Sequence, residues 1–183
     1  MSQWSRVKWS QARQIAQQLK WEDPDACGDA EPKAYFDVLV ADGRLNEATA
    51  FLGLALPRLE AVAWAARSVR DLGQHLDRST PEAAALKASL LWLQDPSDER
   101  RWAAWEAAEA ADPNSPEALT ARAVFFSGGS MAPPGVAPTP APKDVTGIFA
   151  AVAVQAASAR RADKAAALKI CLQAGDELAS SGV

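Results

Sequence analysis

Histidine is almost missing from this sequence: His75, in the turn Gly73-Gln74-His75-Leu76, is the only one. A His-rich metal site is thereby excluded, as is a Cys-His or Ser-His nucleophile pair with a third orienting group. Cysteine is nearly as scarce. Cys27 and Cys171 stand far apart with no Cys-x-x-Cys spacing, which reads as two buried thiols in a reducing compartment rather than a disulfide framework. They could join His75 on a metal only if three distant segments converged, so no metal or cofactor is expected. Long apolar runs are also lacking. The amino-terminal Met-Ser-Gln-Trp-Ser-Arg-Val-Lys-Trp-Ser has none of signal-peptide length, and the longest uncharged helical stretch, Val145 to Ala159, is shorter than a membrane span. A cytoplasmic protein without a membrane partner is expected. Nor is there a stripe of one charge: the net charge is −4, and basic residues alternate with acidic ones along the helices. Nucleic acid is therefore not an expected partner.

What the sequence has is alanine, tryptophan and one proline-rich stretch. At 183 residues the chain fits a single domain over 1–183, long enough to bury about 70% of its unfolded surface. Seven tryptophans against one tyrosine suit close-packed helices with a few large anchors. Between Phe126 and Thr146 helix is forbidden: Gly128 and Gly129 stop the preceding helix, and Pro133, Pro134, Pro138, Pro140 and Pro142 exclude both helix and central strand. From Phe125 to Pro142 there is no charge, and Met131 and Val136 are available to bury, unlike the polar content of a disordered linker. Residues 128–144 are thus expected to form an ordered strap packed on the helices.

Everything around the strap reads as helix. Ala12, Ile15, Ala16 and Leu19 share one face of a helix that stops by Pro24, and residues 1–30 are expected to hold this helix at the periphery. Pro32 opens a second helix ended by Gly43, Asn46 can cap a third, and Pro57 closes that one and opens a fourth running to Leu72, two nested hairpins. Thr80-Pro81-Glu82-Ala83 and Ser115-Pro116-Glu117-Ala118 are the same start signal, hydroxyl cap then proline then acid. Val145 to Arg161 is apolar on nearly every side and is expected to be the most buried helix. Asp163 to Ala179 carries Leu168, Cys171, Leu172, Gly175 and Leu178 on one stripe. The expected fold is all-α, with eight or nine helices in antiparallel hairpins and one long strap.

Candidate chemistry is thin. Ser127-Gly128-Gly129-Ser130 looks superficially like a phosphate loop, but it follows a helix and enters prolines, whereas phosphate loops run from strand into helix. Acid pairs such as Glu106 and Glu109 read as a solvated helix face. Trp64 falls on a helix face with Glu60, Arg67, Ser68 and Asp71, and Trp102 falls near Asp98, Glu106 and Glu109. An indole on such a face needs a cover, either the chain's own strap or amino-terminal helix, or a partner.

Ala107 to Asn114 resembles the close of a tetratricopeptide-type hairpin, and Gly43 to Ala48 the turn inside one; Trp105 and Ala108 fit that pattern, but Arg101 stands where it wants alanine. Ala55-Leu56-Pro57-Arg58-Leu59-Glu60-Ala61-Val62, followed by Phe126-Ser127-Gly128-Gly129-Ser130 and the prolines, resembles an uncharacterised bacterial family of small helical proteins over roughly Phe51 to Leu178. The resemblance implies no activity. It implies gene neighbourhoods of type VI secretion, and hence a non-enzymatic adaptor or chaperone-like protein that binds a secretion effector or spike component. Trp64, Trp102, Arg67, Met131, Pro133 and Pro134 are the expected partner-binding residues. The rival expectations are a small hydrolase or transferase with its site at Gly128-Gly129, and an immunity protein.

Overall fold

The computed structural model describes residues 3–73, 77, 79–133 and 135–183. Among them are nine α-helices and no strand, so the chain is all-α. His75 lies outside the described residues.

Local signals set the helix starts. Pro32 opens α2 (Pro32–Ala41), after α1 (Ala12–Gln18) and a short 3-10 turn over Pro24–Cys27. Thr80 Oγ1 accepts from the Ala83 amide at 3.2 Å to begin α5 (Pro81–Gln94), and Ser115 Oγ accepts from Ala118 at 3.2 Å to begin α7 (Pro116–Phe126). Each hydroxyl satisfies one of the amides that a helix start leaves free. Ser97 does the same for α6 (Asp98–Ala110), and Asp163 for α9 (Lys164–Ser181). Asn46 does not cap: α3 (Leu45–Ala55) starts one residue earlier and takes no side-chain cap. Its backbone oxygen instead receives the Gln155 amide at 3.0 Å.

The core sits around α8 (Val145–Ala159), which packs on α3, α4 (Arg58–Leu72), α7 and α9. Helices α5, α6 and α7 form a mutually packed group on one side, and α1 and α2 lie on α3 at the other. The Pro57 turn does not fold α3 and α4 into a hairpin; each packs on α8 instead. Expected to be the most enclosed helix, α8 is not: Ile148 and Val152 are 41% and 42% exposed, while α4 and α7 bury more of their length. Helix α8 turns Gly147, Ala150, Ala151, Ala153, Val154 and Ala157 inward, with the smallest of them, Gly147, where a neighbouring backbone comes nearest. The amino-terminal segment is not peripheral either. Trp4 is buried against Phe36, and Trp9 donates its indole N–H to Leu54 O at 3.0 Å. No described helix is long and apolar enough to cross a membrane.

The tightest approach is between α3 and α8, where Gly53 faces Gly147. A Cβ on Gly53 would lie 2.5 Å from Gly147 O and 2.9 Å from Ala151 Cβ, and a Cβ on Gly147 would fall on the Gly53 carbonyl. Alanine is worth about 1 kcal/mol more than glycine inside a helix. Forcing backbones apart costs about 1–3 kcal/mol or more. Gly147→Ala is therefore expected to destabilise by about 2 kcal/mol in urea titration, against its helix propensity. Gly128→Ala, where a Cβ meets nothing within 4 Å, serves as the neutral control.

Candidate functional site

The polar centre of the molecule is Arg101, in the first turn of α6. Its side chain is 3% exposed, yet each of its three nitrogens donates a hydrogen bond. Nη1 donates to Phe125 O at 3.0 Å, Nη2 to Ser130 O at 2.8 Å, and Nε to Asp98 Oδ1 at 2.8 Å. The guanidinium also lies 4.8 Å from the Phe125 ring and 5.4 Å from that of Trp102, within cation–π range. One residue thus ties α6 to the end of α7 and to the loop that leaves it. Gly129 is required at this point for two reasons. Its φ is +63°, and a Cβ would sit 2.8 Å from Asp98 Oδ1 and 2.9 Å from Arg101 Nε.

Beyond Gly129 the chain closes on itself. Ser130 Oγ accepts from the amides of Ala132 and Thr139, both at 3.0 Å, and Met131 N donates to Thr139 O at 2.8 Å. An isolated antiparallel bridge joins Ser130 to Pro140. The result corrects the expected strap: the described residues from Pro133 to Pro140 are exposed, Val136 at 59%, and the loop is ordered by its own bonds and by Arg101 at its base. A proline-rich backbone cannot offer amides to the helices it would cross, and a hydroxyl at the base of the loop satisfies those it has.

The start of α4 and the turn that follows α7 meet here. Arg58, at the start of α4, donates Nη1 to Ser127 O at 3.1 Å. On one side of Arg58 a groove of about 490 Å³ is lined by Leu59, Trp92, Asp98, Arg101 and the Ser127-Gly128-Gly129 turn. On the other a groove of about 590 Å³ is lined by Lys8, Trp9, Leu54 to Pro57 and Lys143. The polar groups of the first groove are committed to structure. Ser97 Oγ caps α6, Ser127 Oγ donates to Val124 O at 2.7 Å, and Asp98 pairs with Arg101. Among the described residues no group of three or more His, Cys, Asp or Glu side chains is placed to hold a metal.

The six residues singled out in the sequence do not form one surface. Trp102 is half-buried, 5.0 Å from Phe125 in an edge contact, within an aromatic group that includes Trp105, Phe126 and Phe149. Through Arg101 it adjoins the base of the loop carrying Met131, half-buried, and Pro133, exposed. Pro134 lies outside the described residues. Trp64 belongs elsewhere: it is 0% exposed, its Nε1 donates to Cys171 O at 2.7 Å, and Gly175 of α9 lies against the ring. It is core, covered by α9 rather than by the strap or a partner. Arg67, on the same helix, is exposed.

Sequence reasoning passed over two buried carboxylates. Glu60, its side chain 3% exposed, receives Arg6 Nη2 at 2.9 Å, and Glu117, 1% exposed, receives Arg160 at 2.8 Å. Each sits in the first turn of its helix, where the dipole favours an anion. The acid after proline in Ser115-Pro116-Glu117 was legible as a helix start, but not as a buried ion. Both cysteines are free and buried, and burial pushes the Cys171 thiol above its ordinary pKa.

Residues 35–179 match a family of unknown function, DUF6931. The match covers most of the chain, which therefore belongs to that family; the two grooves and the loop lie within it except for Lys8 and Trp9. No curated protein and no solved structure gives a match.

Proposed function

We propose that the protein is a non-enzymatic adaptor that binds another protein through the 128–144 loop and the groove at its base. The observation that supports this is a contradiction in physical terms. A charge-free segment with Met131 and Val136 is held in a defined conformation by Ser130 and Arg101, yet it is held outward, with Val136 59% exposed. Apolar surface kept ordered and wet forgoes burial energy, and pre-ordering lowers the cost of docking on a partner. Half-buried Trp102 extends the same surface with a residue type that dominates interface energies, and the groove beside Leu59 adjoins it. The family resemblance adds a class of partner, an effector or spike component of type VI secretion, with the protein acting in the cytoplasm.

The test is affinity capture from the native host with the wild type and with Val136→Asp, whose exposed side chain makes it neutral for folding. A partner retained by the wild type should bind the variant at least tenfold more weakly, about 1.4 kcal/mol. Equal binding by both, or no partner retained at low salt, would remove the loop as a docking element.

A further inference from the structure

Helix α8 carries no charge along its whole length, and it is the one described α-helix of which this is true: each of the others holds at least one Asp, Glu, Lys or Arg. A helix enclosed on every side would need none. Yet α8 has an open side, on which Ile148 and Val152 are exposed and Val145, Phe149, Gln155 and Ala156 are half-buried. Spacings of three and four residues put these on one stripe, as along a coiled-coil seam. Toward α7 the stripe is widened by Phe149, stacked on Phe126 with ring centroids 5.4 Å apart, and toward α3 it is bordered by Gln155 on Asn46 O. Charges stand only beyond its two ends, Lys143 and Asp144 before Val145, and Arg160 and Arg161 after Ala159. The outer face of a helix that serves only water is polar, and this one is not.

The stripe is complementary to itself when a second α8 runs antiparallel to it about a two-fold axis at Val152. Residues equally far from Val152 along the helix then face one another. Ile148 meets Ala156, so that a branched side chain lies over a methyl group, Phe149 meets Gln155, and Val152 packs on its own copy. The same register sets Asp144 of one chain opposite Arg160 of the other, each about 12 Å along the helix from the axis. Asp144 and Arg161 take part in none of the ion pairs within the chain. Arg160 gives only Nη1 to Glu117, and its side chain stays 49% exposed. The end holding Lys143 and Asp144 thus faces the end holding Arg160, Arg161 and Asp163, and each copy's unpaired acid reaches a cation of the other. Parallel alignment would instead bring both pairs of arginines together and align the two helix dipoles. An isologous pair is what such a self-complementary stripe fits.

We infer that the outer face of α8 is a self-association surface, and that two copies of the chain pair through it, antiparallel, about an axis at Val152. The inference stands independently of the loop proposed above. One helix pair buries less than the about 800 Å² per partner of a standard interface, so the dimer is of micromolar affinity. Sedimentation equilibrium of the full chain at about 200 μM should therefore give twice the 19.4 kDa of one chain, falling toward the single-chain mass on dilution. Val152→Glu, at an exposed site that tolerates it in the single chain, sets two carboxylates together at the axis and should raise the dissociation constant at least thirtyfold. Orientation is read by cross-linking. Under mild oxidation a mixture of Ile148→Cys and Ala156→Cys chains should form the disulfide-linked dimer at least tenfold faster than either chain alone; Cys27 and Cys171 are buried and do not compete. A single-chain mass at every concentration up to about 200 μM, or a dimer that Val152→Glu leaves intact, would overturn the inference. Cross-linking no faster in the mixture than in the separate chains would overturn the antiparallel pairing. Should Val152→Glu fail to fold by circular dichroism, the mass of the wild type and the cross-linking decide.

Discussion

Trp64→Ala should be among the most damaging single substitutions in this chain, and its damage should be to stability. The ring is fully enclosed between α4 and α9, its N–H satisfies Cys171 O at 2.7 Å, and Gly175 leaves room for it. Truncation removes the buried ring and leaves a cavity, together about 3–5 kcal/mol. For a chain of this size that is a fall in melting temperature of about 10 °C. Trp102→Ala, at a half-buried position, should cost about 1–2 kcal/mol, so thermal melts should rank Trp64→Ala well below Trp102→Ala. Gly175→Ala should move in the same direction, because its Cβ would stand 2.5 Å from Leu52 Cδ2 and 2.9 Å from the indole nitrogen. A Trp64→Ala protein that melts within about 2 °C of the wild type would show that the ring is not core.

Trp64 also shows where sequence reading stops. A helical wheel assigns one buried face, and it places Trp64 with Glu60 and Ser68 on the other. In the fold α4 is covered on both sides, and Glu60 and Ser68 are buried as well, the carboxylate paired with Arg6. A charge on a wheel signals solvent only when nothing from a distant segment neutralises it. The caps at Thr80 and Ser115 were legible because every atom involved lies within four residues. The Gly53–Gly147 contact was not, since it joins positions far apart in the chain. Helix α8 is intermediate: its apolar run was read as burial on all sides, whereas Gly147, Ala150, Ala151, Val154 and Ala157 face its neighbours and Ile148 and Val152 face outward. For the loop, proline fixed what the backbone could not be, but not where it would lie. Arg101 left a signal: a cation at a helix position whose pattern wants alanine is either a mismatch or a buried charge with partners, and here it is the latter.

The partners of Arg101 define the last expected result. Arg101→Ala withdraws the donors to Phe125 O and Ser130 O and removes a guanidinium packed on two aromatic rings. The pair with Asp98 contributes little, because that carboxylate is 67% exposed and water replaces the lost bond. The orphaned Phe125 carbonyl is different: a buried polar group without a partner costs about 1–3 kcal/mol, and the cavity left by the side chain adds to it, for a total of about 3 kcal/mol. Arg101→Lys should recover only part of this, since one ammonium cannot reproduce a planar fork aimed at three acceptors. The distinguishing readout is local. With its base untied, the 128–144 loop should be cut by proteinase K at least tenfold faster than in the wild type, under conditions that leave the helices intact. Gly129→Ala should reproduce the effect, by displacing the same guanidinium and straining a backbone at φ +63°. A loop cleaved no faster in Arg101→Ala than in the wild type would mean that Ser130 and its bridge to Pro140 order it alone, and that Arg101 serves the helix core only.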